Sequence, residues 1–283
     1  MKTFISPKTI SELNEFISNN KNRNIIFLAG GTDLLVDQEK FNTADIIIDL
    51  NKISELRNIS VYCEKINIGS TCTMTDIAKY KQLQNIFPLL VNAATNVGSP
   101  QIRNRATIAG NIANASPAGD TIPVLSVAEA KIRIFNLEKN KELLVPINKF
   151  FLGPGQTILK NGDYIVGFEV PSKILQDCEY AFYKVGQRQA LSISKLSVTC
   201  LYQLSHKKIH KIRMAAGSVA PTVKRLYKTE EYLQNSNLSY DENEVIRFVK
   251  SEIEPITDVR STEEYRKEIT GRLVLKCLQE MKS

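Results

Sequence analysis

The sequence has few of the residues from which metal sites and nucleophilic active sites are built. Its five cysteines are odd in number, widely spaced and without a C-x-x-C pair. This pattern argues against a disulfide framework, a zinc site or an iron–sulfur cluster on the chain, and it favours the reducing cytoplasm. The cysteines are Cys63, Cys72, Cys178, Cys200 and Cys277. The two histidines, His206 and His210, fall in one segment predicted to be a surface hairpin with its turn at Lys207–Lys208. We therefore expect neither a metal site nor a histidine-based catalytic site.

Long apolar runs and clustered positive charge are also missing. No stretch approaches the roughly 20 apolar residues that a transmembrane helix requires, and the first residues lack the apolar region of a signal peptide. The net charge is +7, but lysines and arginines are scattered among acidic residues, and no basic helix alternates with aromatic residues. We therefore expect neither a membrane nor a nucleic acid as partner.

What the chain does have is a glycine-bearing turn after a short apolar strand. Residues 25–28 read as a buried strand, and residues 29–35 follow with the sequence A-G-G-T-D-L-L. Paired glycines followed by Thr32 and Asp33 favour a tight turn whose successive N–H groups point into one concavity, where they bind phosphate oxygens. The spacing is neither G-x-G-x-x-G nor that of a P-loop, so the two common nucleotide fingerprints are absent.

A second segment, residues 101–120, is rich in glycine, alanine, asparagine, serine and threonine. Ile102, Ile108 and Ile112 recur at a spacing suited to anchoring the backbone. A segment that is both small and anchored suits a backbone lying close against a ligand, because glycine permits close approach. An ordered surface loop is the alternative for this segment alone. The two glycine segments together favour a cofactor that carries a pyrophosphate.

Together, these two motifs resemble the FAD-binding medium subunit of molybdenum hydroxylases. The first is A-G-G-T-D-L-L at residues 29–35, and the second is I-R-N-R-A-T-I-A-G-N-I-A-N-A-S-P-A-G-D at residues 102–120. The resemblance covers nearly the whole chain and is closest to the FAD subunits of xanthine and nicotinate dehydrogenases, with carbon monoxide dehydrogenase in the same group. Supporting matches lie at residues 150–155, 165–171, 182–185 and 214–221.

The resemblance implies a set of FAD-binding residues. It implies that Asp120 lies near the ribityl and phosphate part of FAD, that Ile165 packs on the isoalloxazine ring, and that Lys184 lies near the ring carbonyls. Because neither glycine segment contains histidine or cysteine, we expect FAD to be bound non-covalently, and no residue of the chain is expected to be catalytic. The cofactor-binding residues so implied are Phe27, Leu28, Ala29, Gly30, Gly31, Thr32, Asp33, Leu34, Val97, Thr107, Gly110, Asn111, Asn114, Asp120, Ile165 and Lys184.

Strands followed by helices, rather than strict alternation, predict an α+β protein. The resemblance implies a two-part FAD-binding fold of the p-cresol methylhydroxylase and vanillyl-alcohol oxidase type, followed by a C-terminal α+β domain with a three-stranded antiparallel sheet and helices. We expect the domains to span residues 1–55, 56–175 and 176–283. Strands are predicted at 25–28, 46–50, 59–62, 66–68, 130–136, 141–145, 179–185, 196–204 and 210–219. Helices are predicted near 9–17, 75–80, 88–97, 222–235, 241–252 and 262–281.

The function implied by the resemblance is electron transfer within a multi-subunit enzyme. Its partners would be a large molybdopterin-binding subunit, where substrate is hydroxylated, and a small [2Fe–2S] subunit, with NAD as the electron acceptor. Nicotinate and carbon monoxide dehydrogenase subunits are alternatives to xanthine dehydrogenase. A stand-alone FAD-dependent oxidoreductase with its own substrate pocket is an alternative of a different class.

Overall fold

A computed structural model describes residues 2–188, 191–205, 208–236 and 238–281. Its first unit alternates strands and helices, and its strands form a three-stranded parallel sheet in the order β1-β3-β2. The elements are β1 (Thr3–Ile5), α1 (Ile10–Asn19), β2 (Ile25–Leu28), α2 (Gln38–Thr43) and β3 (Ile46–Asp49). Apolar residues of α1 and the sheet, Leu13, Ile17, Ile46 and Ile48 among them, form a small core.

The start of α1 follows its sequence signal in part. The Thr9 hydroxyl accepts a hydrogen bond from the Glu12 N–H at 3.1 Å, as an N-cap does. Thr9 and Glu12, three residues apart, have the spacing of a capping box, but the Glu12 carboxylate accepts from the Lys8 N–H instead of that of Thr9, so only half of the box forms.

The second unit is built on a five-stranded sheet in the order β4-β5-β10-β6-β7, all of whose neighbours are antiparallel. The strands predicted at 59–62 and 66–68 pair as one antiparallel hairpin, and those predicted at 130–136 and 141–145 pair as another. The strands are β4 (Ile59–Val61), β5 (Lys65–Gly69), β6 (Lys131–Asn136), β7 (Lys141–Pro146), β8 (Phe151–Gly153), β9 (Gln156–Thr157) and β10 (Tyr164–Pro171). Between β5 and β6 lie α3 (Met74–Lys79), α4 (Lys81–Ile86), α5 (Pro88–Thr95), α6 (Pro100–Arg103), α7 (Ile108–Ala113) and α8 (Thr121–Val127), and α9 (Ser172–Leu175) follows β10.

The prediction of a three-stranded sheet in the third unit is wrong. Its sheet has four antiparallel strands in the order β11-β12-β13-β14, because Lys224 and Arg225 pair with Ala216 and Ala215 of the neighbouring strand. The helix predicted from residue 222 therefore begins only at Tyr227. A two-residue strand is too short to show alternation, so no pattern in the sequence predicts it. The elements are β11 (Glu179–Val185), β12 (Leu196–Ser205), β13 (Lys208–Gly217), β14 (Lys224–Arg225), α10 (Tyr227–Ser236), α11 (Glu242–Glu252) and α12 (Glu263–Glu280).

Strands β12 and β13 pair in antiparallel fashion, as predicted, but His206 and Lys207 of the expected turn lie outside the described residues. Within the described ranges, no helix is both long and apolar enough to cross a membrane. Nor does any group of three or more histidine, cysteine, aspartate and glutamate side chains there form a candidate metal site.

Candidate functional site

The glycine turn after β2, the loop and helix around α7, and strand β11 meet at one cavity of about 810 Å³. All sixteen residues predicted to bind cofactor line this cavity. They come from three separate regions of the sequence, residues 27–34, 97–120 and 165–184, so the fold brings together what the two motifs suggested separately.

The turn after β2 offers a row of free backbone donors. Gly31 adopts a φ of 73°, which turns the chain at the carboxyl end of the strand. From Gly30 to Leu34, the backbone N–H groups donate to no acceptor within the described part of the chain. Five successive amides at the wall of a cavity form a concave donor site of the kind that binds phosphate oxygens. This is the geometry that the A-G-G-T-D sequence predicted.

The glycine at position 30 also has a structural role, which the sequence did not indicate. A Cβ added there would lie 2.3 Å from the carbonyl oxygen of Arg105, so Gly30 lets the two glycine segments pack backbone against backbone. A second contact joins them, since the Asn114 side-chain amide donates to the Asp33 carboxylate at 3.2 Å. The absence of a side chain at Gly30 therefore serves the junction of the two segments, and not only the approach of a ligand.

The first three backbone N–H groups of helix α7 already have acceptors within the protein, so the helix offers the cavity mainly small side chains. The Thr107 hydroxyl accepts from the Gly110 N–H at 3.1 Å, and the N–H groups of Ile108 and Ala109 bond to carbonyls of Cys72 and Ser70. These three amides are therefore already bonded within the protein, in contrast to those of the turn at Gly30–Leu34. Near Gly110, an added Cβ would meet only the Thr107 hydroxyl, at 2.9 Å, so this face of the helix is open.

The isoleucines of this segment differ in their anchoring. Ile108 and Ile112 are fully buried, as expected, whereas Ile102 is 38% exposed. Instead of anchoring the loop, Ile102 lines the cavity and packs over Gly98, whose φ is 45°. The expectation that all three isoleucines anchor the backbone is therefore wrong for Ile102.

An ion pair closes one side of the cavity. The Lys184 ammonium lies 2.6 Å from Oδ2 of Asp120 and also donates to the Asn96 carbonyl at 2.9 Å. Both side chains are nearly buried. Burial raises the pKa of Asp120 to about 6, although the Lys184 charge acts in the opposite direction. Both side chains line the cavity, so the pair belongs to its wall.

Several buried oxygens in the cavity wall have no partner among the described residues. These are Oδ1 of Asp120, the hydroxyls of Ser70 and Thr71, and the hydroxyl of Ser194. An unpaired buried polar atom is costly, and natural proteins rarely leave one without a partner. Four of them around one cavity indicate that a ligand with hydrogen-bonding groups along its length fills it.

Part of the wall is apolar and suits a flat ring system. Phe27, Leu28, Val97 and Ile165 line the cavity, and Ile165 is buried in the core beneath it. Large cofactor sites combine such apolar walls with a few placed polar groups. Amides for a pyrophosphate, unpaired oxygens and apolar surface together fit FAD. Among the described residues, neither histidine nor cysteine lines the cavity.

Sequence reasoning missed part of the wall. Residues 191–194, between β11 and β12, line the cavity with the exposed side chains Leu191 and Ile193, and Arg260 reaches it from the loop before α12. Ser70 and Thr71 follow β5 without any motif. None of these positions has a glycine pattern or a periodicity that would mark it in a single sequence.

Comparison with known proteins agrees with this geometry. Residues 1–173 match the family described as "FAD binding domain in molybdopterin dehydrogenase", and residues 181–281 match the "CO dehydrogenase flavoprotein C-terminal domain". The chain belongs to this family: it is an FAD-binding oxidoreductase subunit of the molybdenum hydroxylases.

The relatives include two named subunits and a solved structure. The chain is 30% identical to the xanthine dehydrogenase FAD-binding subunit of Escherichia coli O157:H7 over 256 residues, 89% of this chain and 87% of that one. It is 31% identical to the nicotinate dehydrogenase FAD-subunit of Eubacterium barkeri over 68% of this chain and 65% of that one. A carbon monoxide dehydrogenase chain from Hydrogenophaga pseudoflava has the same fold, with a TM-score of 0.89, 26% identity and coverage of 99% and 98%.

Proposed function

We propose that this chain is the electron-transfer subunit of a multi-subunit molybdenum hydroxylase of the xanthine dehydrogenase type, receiving electrons from [2Fe–2S] clusters and passing them to NAD. The observation that carries the proposal is one cavity lined both by free backbone amides and by a buried Asp120–Lys184 pair, on a chain of the FAD-binding family. The fold is proposed to be of the p-cresol methylhydroxylase and vanillyl-alcohol oxidase type, with domains at 1–55, 56–175 and 176–283.

When bound, FAD supplies the capacity to accept a hydride and to exchange single electrons. The amides of Gly30–Leu34 hold its pyrophosphate, and Asn111 and Asn114 present side-chain amides along the cavity. Ile165 packs against the ring. Lys184 places a positive charge close to the ring carbonyls, and the unpaired Oδ1 of Asp120 accepts a hydrogen bond from a hydroxyl group of the cofactor. No residue of the chain takes a catalytic role of its own.

The proposed partners are a large molybdopterin-binding subunit and a small [2Fe–2S] subunit. Relatives that are themselves named as FAD subunits or medium chains of dehydrogenases support this division of labour. All five cysteines are unpaired thiols, which supports a location in the reducing cytoplasm.

A purine such as xanthine is the proposed substrate of the assembled enzyme. The nicotinate dehydrogenase relative, at 31% identity, gives the alternative substrate class, and the carbon monoxide dehydrogenase medium chain of Hydrogenophaga pseudoflava, also 31% identical, gives a third. Because substrate would contact another subunit, assembly of the complex has to precede any test of substrate choice.

Cofactor content and assembly test the proposal directly. The purified chain should be yellow, and acid precipitation should release FAD into the supernatant. The chain alone should reduce an artificial acceptor with NADH but hydroxylate neither xanthine nor nicotinate, and adding the two partner subunits should restore NAD⁺ reduction that depends on substrate. Hydroxylation by the isolated chain, or isolation from its native cell without any partner, would contradict the electron-transfer role in favour of a stand-alone oxidoreductase.

A further inference from the structure

The cavity is lined by a cation that lies outside both glycine segments. Arg260 lines it together with Lys184 and residues 191–194. Its nearest carboxylate is Asp258, at 3.6 Å, which is beyond hydrogen-bonding distance, and the Arg260 side chain is 42% exposed. The guanidinium donates no hydrogen bond to any described residue, so its five N–H groups are available to a ligand.

The turn that carries Arg260 is firmly held. Oδ1 of Asp258 accepts from the backbone N–H of Arg260 at 2.8 Å and from that of Ser261 at 3.1 Å. The same carboxylate oxygen accepts from Arg266 at 2.7 Å. Arg266 is only 4% exposed, and it also donates to the Ser218 carbonyl at 3.0 Å. The backbone at Arg260 is therefore held in place by Asp258, which the buried guanidinium of Arg266 holds in turn.

The same network of hydrogen bonds reaches the second glycine segment through Ser218. The Ser218 N–H donates to the Pro117 carbonyl at 2.8 Å, and the Ser218 hydroxyl donates to the Ser194 carbonyl at 3.3 Å. Ser218 itself adopts a φ of 58°, a conformation that non-glycine residues adopt only where surrounding contacts hold it. One network of hydrogen bonds thus joins the Arg260 turn, the loop that leads to Asp120 and the segment containing Leu191 and Ile193. A binding group supported in this way is typical of a functional site.

We propose that Arg260 binds a phosphate of a nicotinamide dinucleotide acceptor at the entrance of the FAD cavity. The inference rests on the proposed function and specifies its acceptor. A guanidinium matches phosphate geometry with two parallel hydrogen bonds, and the pyrophosphate of FAD already has the amides of Gly30–Leu34. Leu191 and Ile193, 52% and 60% exposed, add apolar surface beside it for the rings of a dinucleotide. A quinone acceptor has no phosphate for this arginine to bind.

The experiment measures binding of ADP-ribose to the FAD-loaded full-length chain by isothermal titration calorimetry. ADP-ribose carries the adenosine and pyrophosphate of the dinucleotide but lacks the nicotinamide, so no reaction obscures the binding. Arg260→Ala should weaken ADP-ribose binding at least tenfold, because charge-assisted bonds to phosphate are lost. The affinity of Arg260→Lys for ADP-ribose should lie between those of the wild type and Arg260→Ala, since a lysine keeps the charge but lacks the planar guanidinium. Arg272→Ala is the matched control, because Arg272 is an exposed arginine on α12 that does not line the cavity.

Kinetics provide a second readout. With ferricyanide as electron acceptor, Arg260→Ala should raise the KM for NADH about tenfold and leave kcat within twofold, while all variants retain stoichiometric FAD. Equal ADP-ribose affinity in Arg260→Ala and the wild type would overturn the inference. Loss of FAD from Arg260→Ala would do so as well, because Arg260 would then serve the cofactor. A wild-type chain that holds FAD but does not bind ADP-ribose refutes only the inference, whereas a chain that takes up no FAD refutes the proposed function too.

Discussion

Lys184 and Asp120, 64 residues apart in the sequence, form a 2.6 Å ion pair that joins strand β11 to the start of helix α8. The pair links the C-terminal sheet to the loop that follows the second glycine segment. Its lysine has a second acceptor in the Asn96 carbonyl, whereas Oδ1 of its carboxylate is buried without a partner in the described chain. The lysine of the pair therefore has two acceptors, whereas one carboxylate oxygen of the aspartate has no hydrogen-bond partner among the described residues.

The first prediction concerns the pH dependence of the cofactor-free chain. Burial raises the pKa of Asp120 to about 6 in the folded state, against about 3.9 in an unfolded chain. The folded protein therefore binds more protons between these values, and stability falls as the pH rises through this window. The loss attributable to Asp120 should be about 2 kcal/mol between pH 4 and pH 7.

Urea unfolding of the wild type and Asp120→Asn across this pH range isolates the effect, because the asparagine does not titrate. Carboxylates with a lowered pKa, such as Asp76 and Asp258, act in the opposite direction but are common to both proteins. The stability difference between the two proteins should shift in favour of Asp120→Asn as the pH rises. A difference that stays constant from pH 4 to pH 7 would show that Asp120 titrates normally in the folded chain.

The second prediction is that Lys184→Met destabilises the chain more at pH 8 than at pH 5. Removing the lysine leaves a buried carboxylate without its cation, a change that typically costs about 3–5 kcal/mol when the carboxylate stays charged. At pH 5 Asp120 is largely protonated, so most of that cost disappears. Thermal or urea unfolding at the two pH values measures it, and in the Asp120→Asn background the Lys184→Met substitution should lose its pH dependence. The same cost at both pH values would mean that the ion pair does not control the charge of Asp120.

The third prediction separates the two glycine segments. Gly110→Val should abolish FAD binding and leave the chain folded at a small cost in stability, because its Cβ, 2.9 Å from the Thr107 hydroxyl, displaces only that helix cap. Gly30→Val should instead lower the stability of the cofactor-free chain, since its Cβ would collide with the Arg105 carbonyl at 2.3 Å. FAD content after gel filtration, together with circular dichroism melting, distinguishes the two outcomes. Stoichiometric FAD in Gly110→Val would argue against cofactor lying along α7.

Local patterns predicted the elements of this fold better than the contacts between them. The apolar run at β2 and the glycine turn after it were readable because strand and turn signals are local. The packing role of Gly30 could not be predicted from the sequence, because it depends on Arg105. Arg105 lies 75 residues away, and no pattern links it to the turn. Strand β14 was missed because two residues are too few to show an alternating pattern. Arg260 was missed because its importance lies in a hydrogen-bond network that no spacing in the sequence reveals.

The last prediction concerns a second buried ion pair that connects the C-terminal unit to helix α8. Arg225 donates to both carboxylate oxygens of Glu230 at 2.8 Å and to the Ser126 carbonyl at 3.1 Å, and Glu230 also accepts from the Met214 N–H. The two side chains are only 7% and 10% exposed. Arg225→Met should therefore lower the free energy of unfolding by about 3–5 kcal/mol, because it leaves a buried carboxylate without its cation.

Replacing both partners tests that cause. Arg225→Met combined with Glu230→Gln should recover more than half of the lost stability, since a neutral glutamine still accepts from the Met214 N–H and no longer has a charge to desolvate. Neither protein should lose FAD at temperatures where it remains folded, because neither residue lines the cavity. Urea unfolding at pH 7 measures the stabilities, with Arg272→Ala as an exposed control that should change them by less than about 1 kcal/mol. If the single and double variants are equally unstable, the cost comes from the lost bond to Ser126 and not from the stranded charge.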